Sequence, residues 1–404
     1  MLMLIKRFER LVSFLVSGLF LLFLLFVFCV TIVSNLREEK TFSYFENRNL
    51  TAFPVPDKET VGNGAFFDSF EEWCRDHIVG RNTVVRYDTL FNLYVLRRPV
   101  VNQTVVRDGL LLPYQEPEEI DPEKIRADAE DVAARLRSHA DLTASYGGHF
   151  YYVTVPCQYV CFEDEYPFYL NNRADFTKAS TDALFRALQE KGIAHLDMRQ
   201  IFEEKGILQT TSSTVDNHYS IFGALETYRS ILERVNADTD YAIPIMTEDD
   251  YTVERVPQRY LGSRGRKLLG LWKSEESLYT VTPKVSVPFT RYNWGNDKPG
   301  ASTVYSLPKT AEEDVLYTMY MGGDISITRI LTDRPELPSI LIYGDSFTNA
   351  VESLIWYHFD SMTSLDFRMY QDQSLESFLA KEQPDIVVCI RDYESLLVTA
   401  ANGQ

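Results

Sequence analysis

Cysteine is scarce in this chain of 404 residues, and so is basic charge. Its five cysteines are too few to hold a domain of this size together by disulfides. The 40 lysines and arginines are outnumbered by 58 aspartates and glutamates, which leaves a net charge of −18. Because phosphate backbones require a basic surface, this balance argues against nucleic acid as a partner. The apolar fraction of 45% and the charged fraction of 24% are instead those of a folded globular protein.

The few cysteines leave one local question open. Cys157 and Cys161 lie four residues apart in a predicted loop after a strand. A disulfide and a pair of unpaired small side chains are both compatible with that spacing. No histidine or further cysteine lies nearby to complete four ligands, so the sequence predicts no metal site.

Long apolar runs are also rare, and the chain has a single one. Residues 11–33 contain no charged residue, and about 20 apolar residues suffice to cross a bilayer as a helix. Lys6, Arg7 and Arg10 precede the run, whereas the charges after it cancel, which predicts a cytoplasmic N-terminus and an extracytoplasmic main domain. A cleaved signal peptide is the alternative, but its apolar region spans only about 7–15 residues and ends at a small-x-small site. We therefore predict a cytoplasmic tip and an uncleaved single-pass anchor over residues 1–35, in the cell membrane.

Behind the anchor, the sequence divides into a linker region and one large domain. Residues 36–115 are expected to form a linker and an N-terminal helical segment packed on the main domain. From residue 116 to 404, predicted strands and helices alternate, which indicates βαβ units. Residues 237 to about 320 break the alternation and are predicted to be an insertion. The expected fold class is α/β, a three-layer α/β/α sandwich with a mostly parallel sheet, preceded by one transmembrane helix.

A serine stands at the end of one predicted strand. The apolar run from Ser339 to Tyr343 is followed by Gly344-Asp345-Ser346, and a helix is predicted to begin just after it. In an open parallel sheet, ligands bind beyond the carboxyl ends of the strands, so Ser346 is expected to face substrate. Its own backbone N–H can help to bind an oxyanion. Taken alone, the motif is also explained by Asp345 or Ser346 capping the next helix.

A second motif supplies a base and a carboxylate. Asp216-Asn217-His218 precedes a helix that Ser220 can cap. Asp216 is close enough in sequence to accept the Nδ1–H of His218, which leaves Nε2 free to take a proton from a serine. A serine is a weak nucleophile until such a base activates it. Ser346, His218 and Asp216 are therefore the predicted catalytic residues, although a histidine with only a local hydrogen bond would also explain Asp-x-His.

Together, the two motifs resemble those of the SGNH (GDSL) hydrolases, with the Asp/His block placed before the serine block. That order is similar to the alginate O-acetyltransferase branch and to the related bacterial DHHW proteins. Three further segments agree with the resemblance, at residues 46–50, 76–81 and 365–368. The resemblance spans roughly residues 41–395.

The resemblance implies an enzyme with Ser346 as nucleophile, His218 as base and Asp216 as the group that orients the base. It implies a membrane-anchored, extracytoplasmic O-acyltransferase or esterase that acts on acyl groups, above all acetyl, of a cell-wall or secreted polysaccharide. No metal or organic cofactor is expected. A transferase of this kind would need a multipass membrane acyltransferase as partner, because acetyl-CoA is cytoplasmic. The sequence does not decide whether water or a sugar hydroxyl is the acceptor.

Four further residues are assigned to the oxyanion or the substrate. Gly323 and Asp324 lie in a loop whose backbone N–H groups are candidate donors, and Arg368 is a candidate to steady the oxyanion or substrate, or else to pair with Asp366. Tyr219 stands where the family pattern usually has tryptophan, and the separate glycine and asparagine blocks of ordinary SGNH enzymes are not identifiable. These departures motivate an alternative, a non-catalytic glycan-binding or polysaccharide-assembly protein with the same fold. A third hypothesis is a partner-binding subunit that acts through the anchor and the following helix.

Overall fold

The computed structural model describes residues 2–37, 40–46, 48–296, 298–300 and 302–398. The chain forms two compact units. The first comprises Met1–Asn102 with Arg266–Trp272, and the second comprises Gln103–Gly265 with Lys273–Gln404.

The first unit begins with a long helix, α1 (Leu2–Arg37). Within the described residues, it is the one helix long and apolar enough to span a membrane, over Arg10–Asn35. The next elements are β1 (Phe42–Ser43), β2 (Arg48–Asn49), α2 (Lys58–Asn63), α3 (Ala65–His77), α4 (Arg81–Leu90) and β3 (Val100–Val101). A π-helical turn, Phe91–Val95, continues α4. The predicted apolar anchor is thus a continuous helix, and its orientation across a membrane stays a prediction.

The second unit contains alternating strands and helices. In chain order these are β4 (Thr104–Arg107), β5 (Leu110–Pro113), α5 (Pro122–Ser145), β6 (His149–Val155), α6 (Gln158–Cys161), α7 (Ala174–Glu190), β7 (His195–Asp197), α8 (Met198–Glu204), α9 (Ile221–Asp238), β8 (Tyr251–Arg255), α10 (Ser263–Lys267, which runs across the boundary between the units), β9 (Tyr279–Pro283), β10 (Thr290–Asn293), β11 (Ile327–Leu331), β12 (Ser339–Gly344), α11 (Thr348–Ile355), β13 (Ser361–Leu365), α12 (Leu375–Glu382) and β14 (Ile386–Asp392). The order of strands in the central sheet is β10-β11-β13-β12-β14-β6-β7. All neighbours from β13 to β7 are parallel, whereas β10 and β11 are antiparallel strands at one edge.

Local sequence explains where the main helices begin. Asp121 accepts hydrogen bonds from the two backbone N–H groups at the start of α5, and Pro122 occupies the first helical position. Ser220 accepts a hydrogen bond from the Gly223 N–H at the start of α9, and Ser374 caps α12 in the same way. The helix that carries the Asp/His block at its start is therefore fixed by a local cap.

Helices cover both faces of the sheet. α5 packs against α7 and α12, while α9 and α11 pack together as a separate group. Residues 386–390 of β14 lie between the two helix groups and are fully buried, at 0% exposure. This burial on both faces explains why the strand is an unbroken run of apolar residues. The predicted three-layer α/β/α sandwich with a mostly parallel sheet is confirmed.

Two polar segments border the central sheet. β13 ends at Leu365, and Asp366 and Arg368 lie in the turn that follows it. The segment from 237 to about 320, which the sequence predicts to be an insertion, contributes β10 to the edge of the central sheet. That strand is polar, and its Arg291 is buried and donates to the backbone carbonyls of Thr303 and Met321, so it lacks the apolar alternation that identifies a strand.

Candidate active site

The serine and histidine motifs meet at the carboxyl end of β12. Ser346 follows Gly344 and Asp345 in a turn that leads into α11. The His218 Nε2 atom lies 2.8 Å from Ser346 Oγ, although 128 residues separate them in sequence. The His218 Nδ1 atom lies 2.5 Å from Asp216 Oδ1. The three predicted catalytic side chains thus form one continuous chain of hydrogen bonds, and their catalytic role stays a prediction.

The turn that carries Ser346 requires close backbone packing. A Cβ atom at Gly344 would lie 2.0 Å from the Ile390 carbonyl oxygen on the neighbouring strand β14, so no side chain fits there. Asp345 closes the turn by accepting the Phe347 N–H at 3.0 Å. Burial opposes ionisation of this carboxyl, but Arg391 and its hydrogen bonds outweigh burial and hold the pKa of Asp345 below its ordinary value. Asp345 therefore caps the following turn, while Ser346 Oγ remains available to His218.

A turn between β8 and β9 fixes Asp216 from the other side. The Ser263 N–H donates to Asp216 Oδ2 at 2.5 Å, and Ser263 Oγ donates to Asn217 Oδ1 at 2.8 Å. Gly262 makes this approach feasible, because its φ is +64° and a Cβ there would lie 2.3 Å from the Val215 carbonyl oxygen. Sequence reasoning missed these residues. They lie in a segment whose apolar residues follow neither a helical nor a strand-like repeat, and a Gly-Ser pair is too common in sequences to indicate a site.

The buried Asp216 is held in its charged form. Burial raises the pKa of this carboxyl, but His218 and the N–H donors of His218 and Ser263 outweigh burial and bring the pKa to about 2. An ionised Asp216 keeps the proton of a neutral imidazole on Nδ1, which leaves Nε2 to accept the Ser346 proton. Tyr317 stacks on the His218 ring, with centroids 3.7 Å apart and 2° between the planes, so the ring is also confined sterically. Tyr317 is a further residue that the sequence did not reveal, because it lies in the same irregular region.

Tyr219 supports the serine turn instead of facing substrate. Its side chain is only 2% exposed, and its hydroxyl donates to the Phe347 carbonyl oxygen at 2.5 Å. Burial raises the pKa of the Tyr219 phenol well above its ordinary value. The sequence proposed Tyr219 as an oxyanion or substrate contact, but a covered ring with a paired hydroxyl cannot reach a ligand in the cavity.

We expect Tyr219→Phe to destabilise the protein by about 1–3 kcal/mol, because the buried Phe347 carbonyl would lose its donor. The measurement is urea-induced unfolding of the full-length variant, monitored by circular dichroism. Tyr169→Phe is the matched control, since Tyr169 is 55% exposed, and it should change stability by no more than about 0.5 kcal/mol. Equal stability of the two variants would show that the Tyr219 hydroxyl does not support the turn.

Gly323 and Asp324 are engaged in different ways, the first through its backbone and the second through its side chain. The Gly323 N–H donates to the Tyr320 carbonyl oxygen at 3.0 Å. Asp324 accepts from Asn349 Nδ2 at 3.1 Å and pairs with Arg368 at 2.9 Å. The turn therefore directs the Gly323 N–H back along the chain, and neither Gly323 nor Asp324 is among the residues that line the cavity beside Ser346. An oxyanion role for the Asp324 N–H stays a prediction.

Arg368 reaches the site while paired with carboxylates. Its Nε and Nη2 donate to Asp366 at 2.9 and 2.6 Å, and Nη2 also contacts Asp324. Arg368 and Ser346 both line one cavity of about 280 Å³. The predicted pair with Asp366 is thus formed, and Arg368 also lies in the cavity that Ser346 lines, while a role in steadying the oxyanion or substrate stays a prediction.

Two other donors lie close to the reacting atoms. Within the described residues, the Ser346 N–H makes no hydrogen bond to another part of the chain. Asn217 Nδ2 lies 3.5 Å from His218 Nε2, and its amide oxygen is occupied by Ser263 Oγ. Both Asn217 and Ser346 line the cavity. They are the candidate oxyanion donors in this arrangement.

The rest of the cavity wall combines charged and polar side chains with apolar groups of Cys157, Phe347 and Val398. It includes Asp392, Glu394 and Ser395 from the end of β14 and the loop after it. Burial and the neighbouring Asp345 carboxylate raise the pKa of Asp392 well above its ordinary value, and Ser395 Oγ donates to Asp392 Oδ2 at 2.5 Å. Hydroxyl-rich ligands can donate to such carboxyl oxygens and accept from such hydroxyls.

The disulfide left open by the sequence is not formed. Cys157 and Cys161 are both free and buried. Burial raises the pKa of the Cys157 thiol well above its ordinary value and that of Cys161 to about 12, so neither is a reactive thiolate. In the part of the chain that the structure describes, no three His, Cys, Asp or Glu side chains are grouped to hold a metal ion.

Comparison with known proteins identifies relatives by fold. No protein-family model matches the sequence, and no curated protein sequence matches it. Bacillus cereus PatB1, solved with a sulfonyl adduct, aligns with a TM-score of 0.58 and 15% identity over 72% of this chain and 97% of its own. A DHHW family protein from Eubacterium siraeum aligns with a TM-score of 0.56 and 17% identity over 75% of this chain and 95% of its own.

The O-acetyltransferase domain of Pseudomonas putida AlgJ shows a weaker likeness, with a TM-score of 0.43 and 13% identity over 74% of this chain and 93% of its own. Identities this low show the fold alone. At the level of fold, the resemblance to the DHHW proteins that the sequence motifs indicate is confirmed.

Proposed function

We propose that this chain is a membrane-anchored, extracytoplasmic O-acyltransferase or esterase that acts on acyl groups, above all acetyl, of a cell-wall or secreted polysaccharide. The observation that carries the proposal is the hydrogen-bond chain from Asp216 through His218 to Ser346, with links of 2.5 and 2.8 Å. The motif resemblance to the alginate O-acetyltransferase branch supports the acyl-transfer class, and the fold is shared with the DHHW protein and with PatB1, which was solved with a sulfonyl adduct.

In the first half-reaction, an acyl group passes from its donor to the serine. Ser346 Oγ attacks the acyl carbonyl carbon while its proton moves to His218 Nε2. The carbonyl oxygen gains negative charge and is bound by the Ser346 N–H and Asn217 Nδ2. When the carbon–oxygen bond to the leaving group breaks, His218 returns the proton to that oxygen, and an acyl ester on Ser346 remains.

The second half-reaction reverses these roles. A sugar hydroxyl or a water molecule enters the cavity, and His218 Nε2 takes its proton as its oxygen attacks the acyl carbon. Ser346 Oγ then leaves and recovers the proton from His218. A sugar acceptor yields an acylated polysaccharide, whereas water yields a carboxylic acid, so the same residues serve a transferase or an esterase.

The proposed location sets a requirement on the acyl donor. With the N-terminus in the cytoplasm and the second unit outside, acetyl-CoA cannot reach Ser346 directly. In the transferase case, a multipass membrane acyltransferase is the proposed partner that delivers the acyl group. The esterase case needs only the polysaccharide.

The experiment is covalent trapping of the acyl-enzyme. We expect full-length protein in detergent to gain the mass of one acetyl group on brief exposure to an activated acetyl ester, with the modification on Ser346 in peptide mapping. A sulfonyl fluoride, chosen because PatB1 was solved with a sulfonyl adduct, should block that gain. Ser346→Ala should gain neither group, whereas Ser377→Ala, at an exposed serine on α12, should behave like wild type.

The fate of the trapped acetyl group distinguishes the acceptors. Faster loss of the acetyl group with added oligosaccharide than in buffer, with appearance of acetylated sugar, would assign a transferase. Loss at the same rate in both would assign an esterase. If folded wild-type protein is not labelled at Ser346, the catalytic proposal fails, and the glycan-binding and partner-binding hypotheses remain.

A further inference from the structure

A cavity of about 690 Å³ lies in the first unit, at the end of the apolar stretch of α1. All of its lining residues belong to this unit. They come from the end of α1, from the segment around β1 and β2, from the end of α3 through the first turns of α4, and from Leu269. The cavity wall thus includes parts of the 46–50 and 76–81 segments, which the sequence singles out and to which the catalytic proposal assigns no role.

Contacts with α1 set the depth of this cavity relative to a membrane. The Val79 N–H donates to Thr31 Oγ1 at 3.1 Å, and the rings of Phe70 and Phe28 meet edge to face with centroids 6.4 Å apart. Thr31 and Phe28 lie within the candidate membrane span, which ends at Asn35. At 1.5 Å per residue, they lie about 6 and about 10 Å inside that end. The cavity wall is therefore at the level of lipid headgroups and the first acyl carbons.

The apolar part of the wall is exposed. Its members are Phe42 at 50%, Tyr44 at 42%, Phe45 at 36%, Ile78 at 43% and Val79 at 42% exposure. Aromatic side chains are enriched at the boundary between membrane and water, because their rings are apolar and their edges polar. An apolar surface of this kind, beside a membrane span, is suited to cover by lipid chains.

Basic side chains outnumber acidic ones around the cavity. Glu46 pairs with Arg81 at 2.5 Å, and Asp76 accepts two hydrogen bonds from Arg48 at 2.9 and 2.5 Å. Lys40 also lines the cavity, as does Arg86, and the side chains of these two make no hydrogen bond or ion pair with any described residue. In a chain with a net charge of −18, this cavity therefore contains two cations that pair with no carboxylate among the described residues.

We propose that this cavity binds the phosphate headgroup of an anionic membrane lipid. Lys40 and Arg86 supply the counter-charges for the phosphate, and the lipid chains lie along α1 and the exposed aromatic residues. The ligand chemistry follows from the combination of two free cations, an apolar wall and a position at headgroup depth. The inference does not depend on the chemistry at Ser346. Its consequence is that the first unit binds the bilayer surface specifically, in addition to being anchored in it.

The test measures lipid retained by the full-length protein. Wild type and variants are reconstituted in nanodiscs of phosphatidylcholine with phosphatidylglycerol, released into mild detergent, and examined by native mass spectrometry for bound phosphatidylglycerol. We expect wild type to retain one phosphatidylglycerol molecule and Lys40→Gln/Arg86→Gln to retain about tenfold less, since each cation near an anionic lipid contributes to binding. The matched control Lys58→Gln/Arg97→Gln removes two exposed cations of the same unit outside the cavity and should retain lipid like wild type.

Three results would overturn the proposal. They are equal retention by wild type and Lys40→Gln/Arg86→Gln, an equal loss in the control variant, and displacement of the lipid by millimolar inorganic phosphate, which would assign the site to free phosphate. The charge-retaining variant Lys40→Arg/Arg86→Lys guards against misfolding. It should bind phosphatidylglycerol, and its failure to do so while folded would also count against a site defined by charge.

Discussion

Replacing Ser346 by alanine is expected to lower kcat for hydrolysis of an activated acetyl ester by about 10⁴–10⁶-fold, and His218→Ala by a similar factor. The reason is the geometry of the pair, in which a single 2.8 Å hydrogen bond joins the Nε2 acceptor to the hydroxyl that must lose its proton. Without the imidazole the serine is a poor nucleophile, and without the serine the imidazole has nothing to activate. Asp216→Asn should cost about 10⁴-fold, because the amide favours the wrong imidazole tautomer.

Because the two residues act as one unit, their losses should not add. The double variant Ser346→Ala/His218→Ala is expected to be no slower than the slower single variant, with residual turnover from the oxyanion donors alone. The measurement is steady-state hydrolysis by full-length proteins whose far-ultraviolet circular dichroism matches wild type. Ser377→Ala serves as the control and should retain full activity. Retention of more than about a tenth of kcat by Ser346→Ala would exclude this serine as the nucleophile.

Gly344→Ala is expected to destabilise the second unit by about 3 kcal/mol or more, with loss of activity. The added methyl carbon would lie 2.0 Å from the Ile390 carbonyl oxygen. Neither strand can retreat easily, because β12 is hydrogen-bonded between β13 and β14 and buried by helices. The turn that presents Ser346 begins at this residue, so any shift of the backbone would also move Oγ away from His218.

The measurement for Gly344→Ala is the urea midpoint and slope of unfolding, beside kcat for the activated ester. Gly300→Ala is the control in the same unit, since its Cβ would meet its nearest neighbour, Asn293 Nδ2, at an ordinary 3.5 Å. That variant should lie within about 1 kcal/mol of wild type. A Gly344→Ala protein with wild-type stability would mean that β12 and β14 do not approach each other as described.

The parts of the site that the sequence predicted are those encoded locally. The run from Ser339 to Tyr343 is apolar because β12 is buried on both faces, and the glycine that follows permits the turn. Asp216 and His218 are two residues apart, so their hydrogen bond needs no long-range information. The resemblance of the two motifs to those of the SGNH hydrolases implied that they meet in one site.

What the sequence could not predict depends on contacts between distant segments. Ser263 and Tyr317 reach His218 and its carboxylate from an irregular region, where no period marks which side chains face inward. Tyr219 was assigned to the oxyanion or substrate because a sequence does not tell which way a ring points. In the structure the ring is buried and its hydroxyl supports the serine turn instead. Likewise, the polar strand β10 joins the sheet by pairing with β11, and its buried Arg291 guanidinium donates to the carbonyls of Thr303 and Met321, so no apolar face marks the strand in the sequence.

The turn at Gly262 and Ser263 bears on how this site would tolerate change. The hydrogen bond to Asp216 Oδ2 comes from the backbone N–H of Ser263, a donor that every residue except proline supplies. Most substitutions at position 263 therefore leave that bond in place. An insertion or deletion in the neighbouring segment would instead displace the donor, and the carboxylate would lose its orientation with no catalytic side chain altered. The orientation of Asp216 is thus robust to most substitutions at position 263, and it is vulnerable to a side chain at Gly262 and to changes in the length of this segment.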